Sequence, residues 1–125
     1  MSYVGHACEP TPWHALSRSR LDAFADITRA PAGDSGFLVL SMLPHFAEQF
    51  SIVVEGLQWG MNYGFDRVRF LAPVRPGSEI RARAQIVAIT EKRPGQYLID
   101  YDVLVDIRGE DEPALSARWR ALIFL

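Results

Sequence analysis

The chain has 125 residues, of which 49% are hydrophobic and 22% are charged, and its formal net charge is −2. This length predicts a single domain over residues 1–125 with one hydrophobic core. The composition excludes a disordered protein, and the weak charge gives no reason to expect nucleic acid as a partner. The single cysteine, Cys8, excludes an internal disulfide. The use of a single cysteine makes a cytoplasmic location the expected one. No signal peptide and no membrane-spanning run is recognisable, so no membrane partner is expected.

The first predicted helix runs from Arg18 to about Thr28. Ser17 is a suitable N-cap, because its hydroxyl can accept a hydrogen bond from a free amide of the first turn. Pro31 and Gly33 are expected to end this helix.

A second helix is predicted from Gly36 to about Phe50, with Asp34 or Ser35 as its N-cap. Its residues are so uniformly apolar that the helix is expected to be buried on most sides. Pro44 interrupts the pattern and predicts a kink or a break near Leu40 to Leu43.

The periodicity changes from helical to strand-like after Leu57. "LQWGMNYG" and "DRVRFLA" lie on either side of Gly64, and three alternating segments follow: "SEIRARAQIVAIT", "YLIDYDVLVDI" and "ALSARWRALIFL". Tight turns at "VRPG", "KRPGQ" and "RGEDEP" join these segments into an antiparallel meander. The expected fold is therefore of the α+β class, with a curved antiparallel sheet wrapped around a central helix, which is the hot-dog architecture.

Three segments, in this order, resemble the MaoC-like hot-dog hydratases and dehydratases: "RLDAFADIT", "GFLVLSML" and "NYGFDRVRFLAPVRPGSEIRARAQI". The resemblance implies hydration of an enoyl thioester, or dehydration of a 3-hydroxyacyl thioester, on coenzyme A or an acyl carrier protein. It implies no cofactor, and it places the protein in fatty acid or polyketide metabolism. A homodimer, or a heterodimer with a hot-dog partner, is the expected assembly, since this fold leaves a sheet edge unpaired.

The sequence departs from this family at the acid–base site. The family carries an Asp-x-Asn-x-x-His segment after the first helix, but only "RAPAGDS" stands there, and Ser35 replaces the signature His. Gly36 still matches the glycine whose amide binds the thioester carbonyl, and Ser41 matches a serine near the catalytic pair. The part of the family's site that holds the thioester is thus expected, and the part that carries the acid–base pair is not. The missing motif leaves open whether the chain is an enzyme.

Three residues are candidates for a catalytic role, namely Asp34, Ser35 and His45. Asp34 could act as a general base, but an N-cap role is favoured, because a capping carboxylate is a weak base. His45 could face the acyl tunnel, although a histidine there is more often partly exposed or hydrogen-bonded to backbone. No metal site is expected, because no two histidines have ligand spacing.

The other candidates bind substrate, and they are Gly36, Ser41, Asn62, Tyr63 and Arg67. The strand around Trp59, Met61 and Tyr63 fits core packing as well as substrate lining. A basic stripe that could meet coenzyme A phosphates is formed by Arg67, Arg69, Arg81 and Arg83. Pairing of these arginines with Asp100, Asp102 and Asp106 is the favoured alternative.

The preferred hypothesis is a protein that binds an acyl thioester but has lost acid–base catalysis, acting as a non-catalytic or partner-dependent subunit. The alternative is an active hydratase, dehydratase, or related lyase or cyclase with relocated or unrecorded acid–base residues. Its substrate would be a polyketide-like molecule or an acyl-CoA. Thioester hydrolysis through Asp34 is the weakest of the three.

Overall fold

The computed structural model describes residues 4–29, 35–50 and 55–125. The described elements, in chain order, are β1 (His14–Ala15), α1 (Arg18–Thr28), α2 (Gly36–Ser41), α3 (Leu43–Glu48), β2 (Trp59–Phe70), β3 (Glu79–Arg93), β4 (Gln96–Ile107) and β5 (Leu115–Phe124). Among these residues, no helix is long and apolar enough to cross a membrane.

The five strands form one sheet in the order β1-β3-β4-β5-β2, and all neighbours are antiparallel. The predicted meander is therefore confirmed for β3, β4 and β5. Gly95 and Gly109 have φ of 79° and 84° in the turns that join these strands, a conformation that glycine adopts without strain. β2 continues through Gly64 as one strand, with register shifts on either side of this glycine.

The first helix has the predicted bounds. The hydroxyl of Ser17 accepts a hydrogen bond from the Arg20 amide, which confirms Ser17 as the N-cap. Arg29 closes the helix in the left-handed conformation, with φ of 60°. Pro31 and Gly33, which were expected to end the helix, lie outside the described residues.

The central helix is divided into α2 and α3 at Met42, which confirms the predicted break. Pro44 lies in the first turn of α3, where its missing N–H costs no helical hydrogen bond. Val39, Leu43 and Phe46 form one buried face against the sheet.

The expectation that the central helix is buried on most sides was wrong. Phe37 is 60% exposed, and Ser41 and Pro44 are exposed as well. The sheet of this chain covers only one side of the helix. The other side is covered only in part by the described chain, since Phe37 stays exposed although its ring packs on Phe70.

The predicted alternation of β3 and β4 is confirmed in the core. Inward-facing residues of both strands are buried, namely Ile80, Ala82, Ala84, Ile86, Val103, Val105 and Ile107. Asp100 departs from the pattern, because it is only 9% exposed on the polar face. Arg120 covers it and donates a hydrogen bond of 2.8 Å to its carboxylate.

The two edges of the sheet differ. The N-terminal segment covers β3, with backbone N–H groups of Gly5, Cys8 and Thr11 donating to carbonyls of β3 at 2.7–3.0 Å. β2 is the opposite edge, and no described strand pairs with its outer side. Its exposed apolar side chains are Trp59, Met61, Tyr63, Phe65 and Phe70.

His14 connects β1 to α3. Its Nε2 atom is buried without a hydrogen-bond partner among the described residues, and its ring centroid lies 5.4 Å from that of His45. Burial lowers the pKa of His14, and the positive charge of Arg20 and then that of His45 act in the same direction.

This geometry predicts a pH-dependent stability. The unfolded chain binds a proton at His14 more readily than the folded chain, so the free energy of unfolding falls as the pH decreases below about 6.5. His14→Phe removes the titrating group, and we expect a smaller loss of stability between pH 8 and pH 5.5 in urea denaturation. His6→Phe, at an exposed site, is the matched control. Equal pH dependence in the wild type and His14→Phe would contradict this role.

Candidate functional site

Two adjoining cavities lie between α2 and the strand β2. The first has a volume of about 330 Å³ and is lined by Ser35, Gly36, Phe37, Phe70, Leu71, Ala72 and Pro73. The second has a volume of about 410 Å³ and is lined by Phe37, Leu40, Ser41, Leu43, Pro44, Asn62, Phe65 and Trp119. Phe37 lines both cavities, so together they form an apolar groove along the helix.

Ser35 fixes the start of α2 to the sheet. Its side chain is buried, and its hydroxyl oxygen accepts a 2.9 Å hydrogen bond from the backbone N–H of Val74. The predicted N-cap role of its side chain was wrong, because this oxygen bonds to Val74 instead of to the first turn of the helix. Asp34, the other proposed cap and a candidate base, lies outside the described residues.

Gly36 lies directly against the ring of Phe70. A Cβ atom added at Gly36 would be 3.0 Å from Phe70 Cδ1, which is closer than side-chain contacts normally allow. The ring of Phe37 also packs on Phe70, with centroids 5.3 Å apart. A side chain at Gly36 would therefore require the Phe70 ring to shift, so the glycine suits the close packing beside the first cavity.

Ser41 and Asn62 line the second cavity together, so the structure brings these two predicted residues into one site. The hydroxyl of Ser41 donates a 2.6 Å hydrogen bond to the Leu38 carbonyl within its own helix. Trp119 forms part of the wall, and its indole Nε1 is buried without a hydrogen-bond partner in residues 4–29, 35–50 and 55–125. Sequence reasoning missed Trp119, since only its pairing with Phe65 across β5 and β2 brings it to the cavity.

None of the described residues that line the two cavities has an ionisable side chain. Their polar groups are the two serine hydroxyls, the Asn62 amide and the Trp119 indole. Such a surface can hold an apolar chain and form hydrogen bonds, but it cannot exchange protons near neutral pH.

His45 and Tyr63 do not line the groove. His45 lies on α3 beside His14, with a ring contact that sequence spacing could not predict. Tyr63 lies beside Arg120 and accepts a 3.1 Å hydrogen bond from Lys92. This hydrogen bond and the positive charge of Lys92 lower the pKa of the Tyr63 hydroxyl.

The basic stripe is partly neutralised by ion pairs. Arg81 and Arg83 both bind Asp106, at 3.5 and 2.6 Å. The other two aspartates pair with β5 instead of with the stripe, as Asp100–Arg120 and Asp102–Arg118. The favoured pairing is thus confirmed for Arg81 and Arg83 only.

Arg67 and Arg69 are exposed on β2, and neither forms an ion pair with a described residue. Arg67 lies opposite Arg118 in the register of β2 and β5. Like charges at this spacing repel, so the residue opposite Arg67 offers it no ion pair.

The relatives found by comparison with known proteins agree with one another. The sequence model of a family described as "MaoC like domain" matches residues 24–106. Nodulation protein N of Rhizobium meliloti (strain 1021) is 32% identical, over 97% of this chain and 86% of its own length. The 3-hydroxyacyl-thioester dehydratase Z of Mycobacterium tuberculosis (strain H37Rv) is 29% identical, over 91% of this chain and 86% of its own length. These alignments span 147 and 131 positions, more than the 125 residues of the chain, so both relatives carry internal residues without a counterpart here.

Solved structures confirm the hot-dog fold. The monoamine oxidase regulatory protein of Archaeoglobus fulgidus superposes with a TM-score of 0.79 and 22% identity, covering 97% of this chain and 90% of that one. The (R)-hydratase of A. caviae superposes with a TM-score of 0.70 and 17% identity, covering 98% of this chain and 96% of that one. A chain of the HadBC 3R-hydroxyacyl-ACP dehydratase complex of Mycobacterium tuberculosis superposes with a TM-score of 0.68 and 16% identity, covering 98% of both chains.

The Ser35 hydrogen bond predicts unequal effects for two similar substitutions. Ser35→Ala leaves the buried Val74 N–H without an acceptor, and we expect a loss of about 1–3 kcal/mol in the free energy of unfolding. Ser41→Ala is the matched control, with an expected change below about 0.5 kcal/mol, because its exposed hydroxyl bonds only to its own helix. Chemical denaturation measures both values, and equal losses would contradict the anchoring role of Ser35.

Proposed function

Because the chain belongs to the MaoC-like dehydratase family, we propose that it binds an acyl thioester without carrying out acid–base catalysis by itself. The carrier of the acyl group is coenzyme A or an acyl carrier protein. The apolar groove between α2 and β2 is the observation that carries this proposal. Its two parts have volumes of about 330 and 410 Å³ and few polar groups, as is usual for small-molecule sites.

The position of Gly36 supports the orientation of the thioester. In the family, the glycine at this position binds the carbonyl oxygen through its amide, and Gly36 lies at the start of α2 in the first cavity. The acyl chain would then run along α2 towards Ser41 and Asn62. Arg67, on the same strand as Asn62, is proposed to meet a phosphate of the carrier.

The composition of the groove wall supports the loss of independent catalysis. Addition of water to an enoyl thioester requires a group that transfers protons at the reacting carbons. The described lining residues include no histidine and no carboxylate. The absence of an Asp-x-Asn-x-x-His segment from the sequence agrees with this composition.

We also propose that β2 is the edge through which the protein pairs with a second hot-dog subunit. β2 has five exposed apolar residues, whereas the N-terminal segment already covers the opposite edge of the sheet. An apolar edge of this length is normally protected by pairing. Structural neighbours include the HadBC complex and the ChsH1-ChsH2 complex of Mycobacterium tuberculosis.

The first test is ligand binding and turnover with the purified chain. We expect octanoyl-CoA to bind in isothermal titration calorimetry and crotonyl-CoA to show no hydration. Gly36→Val should weaken octanoyl-CoA binding by at least about tenfold, because the added side chain meets the Phe70 ring. Gly64→Val is the matched control, since a Cβ atom there meets nothing within 4 Å.

Two outcomes would contradict the proposal. Hydration of crotonyl-CoA by the chain alone would support the alternative of an active enzyme with relocated acid–base residues. Equal binding by Gly36→Val and Gly64→Val would place the thioester elsewhere. Circular dichroism of both variants checks that each one is folded.

The second test concerns the β2 edge. We expect the wild-type chain to be a dimer in size-exclusion chromatography with light scattering. Met61→Arg should give a monomer, because it places a charge among the exposed apolar side chains of the edge strand. Ile89→Arg, at an exposed apolar position on β3, is the matched control. A monomeric wild type would contradict self-pairing and leave a different hot-dog chain as the partner.

A further inference from the structure

Phe37 lies at the boundary between the two cavities of the groove. The first cavity is formed by residues 35–37 at the start of α2 and by residues 70–73, whereas the second is formed by residues of α2, α3, β2 and β5. Of the described lining residues, Phe37 is the one that borders both cavities. An acyl chain that begins in the first cavity and continues into the second therefore has to pass the Phe37 ring.

A contact with Phe70 holds the Phe37 ring at this boundary. The two ring centroids are 5.3 Å apart, and the rings are tilted by 59°. Phe70 itself packs closely on Gly36, where an added Cβ atom would be 3.0 Å from Phe70 Cδ1. The start of α2 thus positions Phe70, and Phe37 packs on it from the next residue of the same helix.

The Phe37 ring is free to change its rotamer, because most of its surface is open. It is 60% exposed, whereas Val39 on the same helix is 2% exposed. Exposed side chains change rotamer rapidly, so the contacts that are broken determine the free-energy cost. Displacement of Phe37 breaks its contact with Phe70, and a contact between two aromatic rings contributes about a two- to tenfold factor to an equilibrium constant.

We propose that Phe37 acts as a gate between the two cavities and determines how binding depends on acyl-chain length. Short chains end in the first cavity and bind with the ring on Phe70, whereas longer chains displace the ring and enter the second cavity. This inference rests on the proposed function, because it assumes that the thioester carbonyl lies at Gly36. Ser41 in the second cavity lies five residues further along α2, which corresponds to about 7.5 Å, so a medium-length chain reaches it.

The gate predicts one reduced gain in affinity along a series of acyl chains. Two further methylene groups buried against an apolar wall raise the affinity by up to about fifteenfold. The step that first displaces Phe37 gains less by about two- to tenfold, because the contact with Phe70 is lost in the same step. Without the ring there is no contact to break, so the gains become even.

The test measures the affinities of butanoyl-, hexanoyl-, octanoyl- and decanoyl-CoA by isothermal titration calorimetry. We expect one step with a reduced gain in the wild type and even gains in Phe37→Ala. Phe37→Tyr keeps the ring and should keep the reduced step. Ile27→Ala is the matched control and should also keep it, because this variant shortens an apolar side chain that is 81% exposed on α1, outside both described cavity walls.

Asn62 provides a direct signal for entry into the second cavity. It lines that cavity and is the only asparagine in the sequence, so ¹⁵N-asparagine labelling gives a single side-chain amide group. Its ¹H–¹⁵N signals should keep their positions with the short chains. They should first move at the chain length that shows the reduced gain in affinity.

The outcomes separate this inference from the proposed function. If no acyl-CoA binds, the proposed function itself fails and the inference fails with it. If the chains bind with even gains in the wild type, or without any movement of the Asn62 signals, the gate alone is overturned. A reduced step that persists in a folded Phe37→Ala variant, or that disappears in Ile27→Ala or Phe37→Tyr, also overturns it.

Discussion

The packing of one face of the broken central helix on the sheet is the constraint on which the rest of the structure depends. Val39, Leu43 and Phe46 are buried there, and α2 contacts β5 while α3 contacts β3. The sheet presents small side chains such as Ala82 and Ala117 in the same cluster, which allows the helix to approach closely. Met42 separates the two halves of the helix, which contact different strands of the sheet. The Ser35–Val74 hydrogen bond then fixes where the helix begins.

This packing also determines where a ligand can bind. The helix buries only one face, so its other face meets β2 loosely and the two cavities lie between them. Phe37 and Phe65 line the cavities and are also exposed beside the open edge of the sheet. The site and the edge are thus parts of one apolar surface. The polar ion-pair network lies on the other face of the sheet and leaves the chemistry of the groove unchanged.

The sequence predicted those features that depend on neighbouring residues. The alternation in β3 and β4, the Ser17 cap and the break caused by Pro44 all arise within a few positions along the chain. The Ser35–Val74 hydrogen bond, the His14–His45 contact and the place of Trp119 in the cavity wall join distant segments, and no local pattern reports them. The prediction that the central helix is buried on most sides failed for a different reason. Apolar residues indicate that a surface is to be covered, but not whether the same chain covers it.

The difference between a site and the chain that completes it also applies to acid–base groups, which the described groove wall does not contain. A dehydratase needs a proton donor and acceptor beside the thioester, and the described wall of this groove supplies neither. A subunit seated on β2 would border the groove, because Phe65 belongs both to the edge strand and to the cavity wall. Under the proposed function, such a subunit can bring ionisable side chains to the ligand that this chain holds. Binding depends on the shape and apolar character of the groove wall, whereas proton transfer depends on a few side chains. Under this proposal, a chain without the Asp-x-Asn-x-x-His motif can therefore still have the groove.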